Sequence, residues 1–261
     1  MGFSLFPHER YVWLVAASTI AGVMNAMAGG GSFLSFPAML GMGVPPVEAN
    51  ATNTVALWPG QLTSLATLRG DVRRDLLPTV AITCVIGGVT GAEVLLHTRQ
   101  RTFLHLIPWL ILMGTLIFGA SGPLSKWLRR RTEHPHAERA IPLLPLALSL
   151  FPICFYIGYF GAGGGFLVMT VLALFGMESM HAMNAMKVVA ATTSNLCAII
   201  TFIVRGAIVW HYCIVSMAFA ALGGWIGARF ARRMNGDILR MVVVATGCVV
   251  AGYFFWTQRH G

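Results

Sequence analysis

Charge is scarce in this sequence. Only 10% of its 261 residues are Asp, Glu, Lys or Arg, whereas 56% are hydrophobic. A soluble domain carries roughly 25% charged residues, so a soluble globular fold is excluded. Hydrophilic linkers are scarce too. The one sizeable example is "KWLRRRTEHPHAER", Lys126 to Arg139, whose His-Pro-His reads as solvated loop. Metal-ligand spacing is missing. The five cysteines (Cys84, Cys154, Cys197, Cys213 and Cys248) all fall inside apolar segments. They imply neither a disulfide framework nor a metal site and read as small buried hydrophobes. A Gly-Lys-Ser/Thr phosphate loop, an HExxH pair and a nucleophile elbow are all absent. No catalytic residue, metal or cofactor is therefore expected. The net charge of +9 raises nucleic acid as a partner. That partner is not expected, because no folded domain presents the basic clusters and basic short loops are what membrane topology demands.

Apolar runs are what the chain has instead. They cover 11–28, 32–43 (short), 49–68, 76–96 and 102–122, then 141–160, 165–177 (short), 182–204, 208–228 and 238–257. A helical span takes ~20 residues, so several of these cross a bilayer, and an all-α integral membrane protein is expected. The first run, with Arg10 and Ala26-Met27-Ala28, has the grammar of a signal peptide. A matching run in mid-chain, and no soluble domain after the first, favour a span.

The two halves are repeats. A shift of 134 carries Ala28-Gly29-Gly30-Gly31 onto Ala162-Gly163-Gly164-Gly165, and Asn50-Ala51 onto Asn184-Ala185. A shift of 136 then carries Arg69-Gly70 onto Arg205-Gly206, Gly87-Gly88 onto Gly223-Gly224, and Gly91-Ala92 onto Gly227-Ala228. The expected organisation is repeat 1 over 1–125, a cytoplasmic linker over 126–140, and repeat 2 over 141–261. If each Gly-broken run is a re-entrant hairpin, each half adds three full crossings and the second half is inverted. Arg69, Arg73, Arg74, Lys126, Arg129, Arg130, Arg131, Arg139, Arg229, Arg232, Arg233 and Arg240 then share one side, twelve in all. Arg10, Arg99, Arg101, Arg205 and Arg259, five, share the other. Eight full spans give eleven against six, so the positive-inside rule favours the re-entrant, inverted arrangement.

Gly inside a helix costs about 1 kcal/mol relative to Ala, and here three in a row interrupt an apolar helix twice. Close packing of small residues is one explanation. The other is a binding site. Interrupted helices in paired repeats mark transporter sites, and a helix N-terminus attracts anions. Gly30, Gly31, Gly164 and Gly165 are the candidates. On the helix that follows, Asn50, Asn53, Thr54 and Gln61 share a face. Asn184, Lys187 and Asn195 fall on the equivalent face of the second copy, near Thr192, Thr193 and Ser194. The 134 shift makes Lys187 the counterpart of Asn53. An ionisable residue inside a span costs about 2.5–3.5 kcal/mol on insertion scales and is a functional candidate by default; the alternative is that Lys187 snorkels to the surface. Glu48 and Glu178 are placed to cap these helices. Glu93, His181 and His211 read as interfacial, and Trp58-Pro59 as a kink.

"AGGGSFLSFPAMLGMGVPPVEANATNT" (28–54) and "GAGGGFLVMTVLALFGMESMHAMNAMKVVA" (161–190) together resemble the TauE/SafE family of sulfite and organosulfonate exporters. The resemblance spans nearly the whole chain. It implies a multi-pass permease of the bacterial inner membrane that moves small sulfur-containing anions, such as sulfite or sulfoacetate, outward. Members carry Asn-Ala-Thr-Lys or Asn-Ala-Thr-Asn here. Asn50-Ala51-Thr52-Asn53 fits, whereas Asn184-Ala185-Met186-Lys187 replaces Thr with Met186. The expected partners are a small anionic substrate, the lipid bilayer, a coupling ion (proton or sodium) and a second copy of the chain in a homodimer. An anion channel and a non-transporting membrane scaffold or assembly factor are the rival readings.

The charge split predicts that the 126–139 linker is cytoplasmic and both termini lie on the opposite face. Cysteines placed at Thr132 and at Ser4, in a background without native cysteines, should label from opposite sides. Labelling of both from one side would restore eight full spans.

Overall fold

The computed structural model describes residues 7–27, 30–132, 141–177, 179–230 and 236–260. They form ten α-helices, with no strand among them. These are α1 (Pro7–Met27), α2 (Ser32–Gly41), α3 (Pro46–Leu68), α4 (Leu77–His97) and α5 (Gln100–Thr132), followed by α6 (Leu143–Tyr159), α7 (Gly164–Leu174), α8 (Met180–Val204), α9 (Trp210–Phe230) and α10 (Gly236–His260). Each expected apolar run returns as one helix. The main difference is α5, which continues past 122 to Thr132, so Lys126–Thr132 is helical rather than loop. Leu, Lys and Arg are good helix formers, and cations are favoured at a helix C-terminus. The rest of the linker, 133–140, lies outside the described residues, as do Ala28, Gly29, Glu178, Arg232 and Arg233.

Four helical stretches are long and apolar enough to cross a membrane: Leu77–His97, Gln100–Ala120, Met180–Val204 and Met241–Gln258. Tyr11–Asn25, α2, α6 and α7 are apolar but shorter. Large apolar side chains also point outward, among them Val12, Trp13, Leu144, Val204 and Val249. In water such a surface would be a liability; against lipid chains it is the expected exterior.

The chain divides into two compact units. Unit 1 takes its described residues from Met1–Gly60, Thr98–Leu112 and Ile203–Gly261, and unit 2 from Gln61–His97 and Met113–Phe202. Each unit therefore draws on both sequence repeats. The main helix pair of unit 1 is α1 with α9; that of unit 2 is α4 with α6. Under the repeat shift α1 corresponds to α6 and α9 to α4, so the same pair is built twice with the halves exchanged.

Glycines let both pairs approach to backbone contact. In unit 1 a Cβ on Gly22 would overlap the Ala220 carbonyl, and one on Gly223 the Thr19 carbonyl. A Cβ on Gly227 would stand 2.9 Å from Val23 Cα. In unit 2 a Cβ on Gly87 would stand 2.6 Å from Cys154 Cβ, and one on Gly91 would overlap the Phe155 carbonyl. Gly223 and Gly227 are the repeat counterparts of Gly87 and Gly91. Small residues at such crossings give dispersion contact where lipid removes the hydrophobic drive between helices.

Around these pairs the cores are apolar. In unit 2, Val80 and Cys84 of α4 pack with Leu150, Cys154 and Ile157 of α6, Val168 and Leu172 of α7, and Met183, Met186 and Ala190 of α8. In unit 1, Phe36 of α2 meets Phe103 of α5 edge to face, with centroids 6.5 Å apart.

Gly223→Ala should destabilise the detergent-solubilised protein by about 1–3 kcal/mol, the usual cost of overpacking. Gly252→Ala is the control, because a Cβ there meets nothing within 4 Å, and it should be neutral or slightly stabilising. Thermal melts that fail to separate the two variants would contradict the close approach.

Candidate functional site

The two short helices start where the glycines end the helix before. Gly30 has φ +90° and Gly163 φ +78°, left-handed conformations that residues with a Cβ rarely adopt. The chain then returns alongside the helix it has left. A Cβ on Gly31 would run into Ala21 of α1, and one on Gly164 would stand 2.5 Å from Ile157 Cγ1 of α6. Gly31 and Gly164 thus serve close packing. Neither α2 nor α7 has a side-chain cap. Phe33 N and Phe166 N bond back to Gly30 O and Gly163 O (both 3.1 Å). The N–H groups of Ser32 and Gly165 have no partner among the described residues.

Unit 2 gathers Gly164, Gly165, Lys187 and Asn195 around the start of α7. The Lys187 stem lies across Gly165, where a Cβ would be 3.1 Å from Cγ and 3.2 Å from Cδ. Its ammonium sits 5.4 Å from the centroid of the Phe166 ring. Lys187 is half-buried. Its ammonium has no hydrogen bond or ion pair among the described residues. Asn195 is buried, and its Nδ2 donates to Gln61 Oε1 (3.0 Å). Its own Oδ1 lies beside the glycine turn, 3.8 Å from where a Gly161 Cβ would be. Asn184 is half-buried, and its side chain has no hydrogen bond among the described residues.

Unit 1 gathers Gly30, Gly31 and Asn53 around the start of α2. Asn53 is buried, and its Oδ1 accepts from Ser35 Oγ (2.5 Å) in the first turns of α2. The repeat counterparts Asn53 and Lys187 therefore do the same thing in their own units: each reaches the beginning of the short helix. Asn50 is buried. The Thr54 hydroxyl donates to the Asn50 carbonyl (2.9 Å), so its proton is committed to its own helix.

Thr52 and Met186 explain the one departure in the repeated motif. Thr52 Oγ1 accepts from Val209 N (3.0 Å) and so fixes the chain just before α9. Met186, its counterpart, is fully buried in the unit 2 core, where Val72 packs against that core. A polar latch in one copy is an apolar contact in the other. Helix starts are handled differently too. Gln100 Oε1 accepts from Val47 N (2.9 Å) at the start of α3, while Gln100 Nε2 donates to Glu48 Oε2 (2.8 Å). For α8 it is Ser179 Oγ that accepts from Ala182 N (3.2 Å). Glu93 Oε2 lies 3.6 Å from His97 Nδ1; His181 and His211 are exposed.

Ser35 and Phe166 stand at these helix starts with little in the sequence to mark them. Ser35 is visible as one of two hydroxyls, with Ser32, in an otherwise apolar short helix. Phe166 carried no signal, since an aromatic in an apolar helix reads as core. Lysine usage is a further sign: the chain has only Lys126 and Lys187 among its 18 basic residues.

Long apolar helices, glycine crossings and a sparse set of buried amides define a multi-pass α-helical membrane protein. The chain belongs to the sulfite exporter TauE/SafE family, whose model matches residues 14–254. It is similar to a probable membrane transporter protein of Haemophilus influenzae, 28% identical over 249 residues, covering 94% of each chain. The probable membrane transporter protein ORF9 of a Sinorhizobium species is 27% identical over 248 residues, 92% of this chain and 90% of that one. The probable membrane transporter protein YfcA of Escherichia coli K12 is 26% identical over 256 residues, 95% of this chain and 90% of that one. No solved structure matches the chain.

Gly30→Leu and Gly164→Leu should each abolish transport while leaving membrane insertion largely intact. Leu at 30 would be strained at φ +90° and would meet Val243 Cγ1, 2.9 Å from its Cβ; Leu at 164 would displace Ile157. Flux assays in vesicles, with insertion scored by fractionation, check this. Normal flux through both variants would leave the glycines with no part in transport.

Proposed function

We propose that this protein is a secondary transporter that exports small sulfur-containing anions, sulfite or short organosulfonates such as sulfoacetate, across the bacterial inner membrane. The transporter class rests on the family and the named relatives. The anionic cargo is supported above all by Lys187. It is the one lysine within an apolar span, it lies at the start of an uncapped helix, and it meets no carboxylate among the described residues. In this reading the positive end of α7 adds to its charge and the amides of Asn184 and Asn195 donate to the anion's oxygens; within unit 1 the positive end of α2, with the amides of Asn50 and Asn53, forms the uncharged counterpart. Gly30 and Gly165 leave the backbone at the start of each short helix open to an anion, Gly31 and Gly164 hold those starts in place by close packing, and Thr54 belongs to the polar face of α3 in unit 1. Each repeat is a re-entrant hairpin plus three crossings, the second inverted relative to the first. A proton or sodium gradient drives export.

Calorimetry at fixed salt, with sulfite, sulfoacetate and taurine as ligands of the purified chain, tests the reading. Lys187→Ala should weaken binding by about ten- to a hundredfold, the worth of a hydrogen bond to a charged group. Lys187→Arg should keep part of the affinity, because it keeps the charge but changes its geometry. Affinity of Lys187→Ala within about twofold of the parent would remove Lys187 from the site and favour snorkelling.

A further inference from the structure

We propose that Phe166 is a positioning residue of the anion site: the face of its ring holds the Lys187 ammonium at the start of α7 without neutralising it. The inference rests on the reading of Lys187 as the anion-binding charge. It begins with a contact that glycine permits. Because residue 165 has no side chain, the Lys187 stem lies flat against the first turn of α7. That path brings the ammonium over the ring of the very next residue, 5.4 Å from its centroid. A cation within about 6 Å of a ring centroid is attracted by the negative face of the π system.

The ring itself is held. Phe118 of α5, fully buried, meets Phe166 at 83° with centroids 5.4 Å apart. A ring fixed by an edge-to-face neighbour gives a long, flexible lysine one preferred place to rest. Among the described residues nothing else orients the ammonium.

A carboxylate in the same place would hold the lysine more firmly, but the incoming anion would have to break a buried ion pair, which is costly. A ring has no net charge. It contacts one side of the ammonium and leaves the full positive charge for an anion on the other. The arrangement occurs once per chain. Under the repeat shift Phe166 corresponds to Ser32 and Lys187 to Asn53, so unit 1 has neither the cation nor the ring.

Fluorinated phenylalanines at position 166 test this in the full-length, detergent-purified chain, because fluorine drains charge from the ring face with little change of shape. Affinity for sulfite, sulfoacetate and taurine is read by calorimetry. It should fall stepwise from mono- to di- to trifluorophenylalanine. Phe166→Leu should lose about three- to tenfold, the scale of a partly desolvated cation–π contact, and Phe166→Trp should retain affinity. A flat fluorine series overturns the inference, and so does an affinity that rises as the ring loses charge. Lys187→Ala is measured alongside. If it binds like the parent, or if the parent binds none of the three anions, the anion-site reading itself falls and takes the role of Phe166 with it. A strong loss in Lys187→Ala with a flat series overturns the role of Phe166 alone.

Discussion

A hydrocarbon interior supplies no hydrogen bonds, and every other feature of this chain answers to that. Backbone groups without an internal partner cost several kcal/mol each in such a medium. The described residues meet the demand with ten helices. Polar side chains are few, and most of those that are buried already have a use: Thr52 on Val209 N, Ser35 on Asn53, Asn195 on Gln61. Where the ladder is broken, at Gly30 and at Gly161 to Gly163, the break is made of residues that tolerate positive φ and permit close packing. The same economy explains the helix crossings. With no hydrophobic drive between helices in lipid, glycine-mediated backbone contact is what holds α1 to α9 and α4 to α6.

The repeats have diverged where charge is concerned. Asn53 and Lys187 occupy equivalent positions against equivalent short helices, yet one is a neutral amide bonded to Ser35 and the other a cation with no bonded partner among the described residues. The motif copies thus keep the same contact with the start of a short helix while only the second carries a charge, so the two halves of the chain are alike in backbone and unlike in electrostatics.

Much of this architecture could be read from the residues. The apolar runs announce the helices because a span must be apolar along its whole length. The double Gly motif gives the repeat, since the shift that aligns Gly87 with Gly223 also aligns the contacts they make. Lys187 stands out because an ammonium inside such a run is expensive. Other features left no trace. The helical end of α5 looks like linker, because basic residues serve a helix terminus and a loop equally well. The role of Thr52 is hidden because its partner is a backbone N–H distant in sequence. Phe166 is hidden because the meaning of an aromatic side chain depends on what stands over its face. Pairing α1 with α9, in addition to its neighbour α2, also lies beyond any local pattern.

That pairing gives the molecule a birth order. A ribosome adds about 5–20 residues per second, and α1 ends at Met27 while α9 begins only at Trp210. The glycine-notched side of α1 must therefore wait on the order of ten to forty seconds for the helix that fits it. The partner of α6 poses no such delay, because α4 is synthesised first. Unit 2 can close as soon as its last helix leaves the translocon, while unit 1 is completed at the end of synthesis. During that interval the glycine-notched face of α1 meets lipid chains rather than a helix, and a chain cut short before α9 would hold a finished unit 2 and an α1 packed on α2 alone.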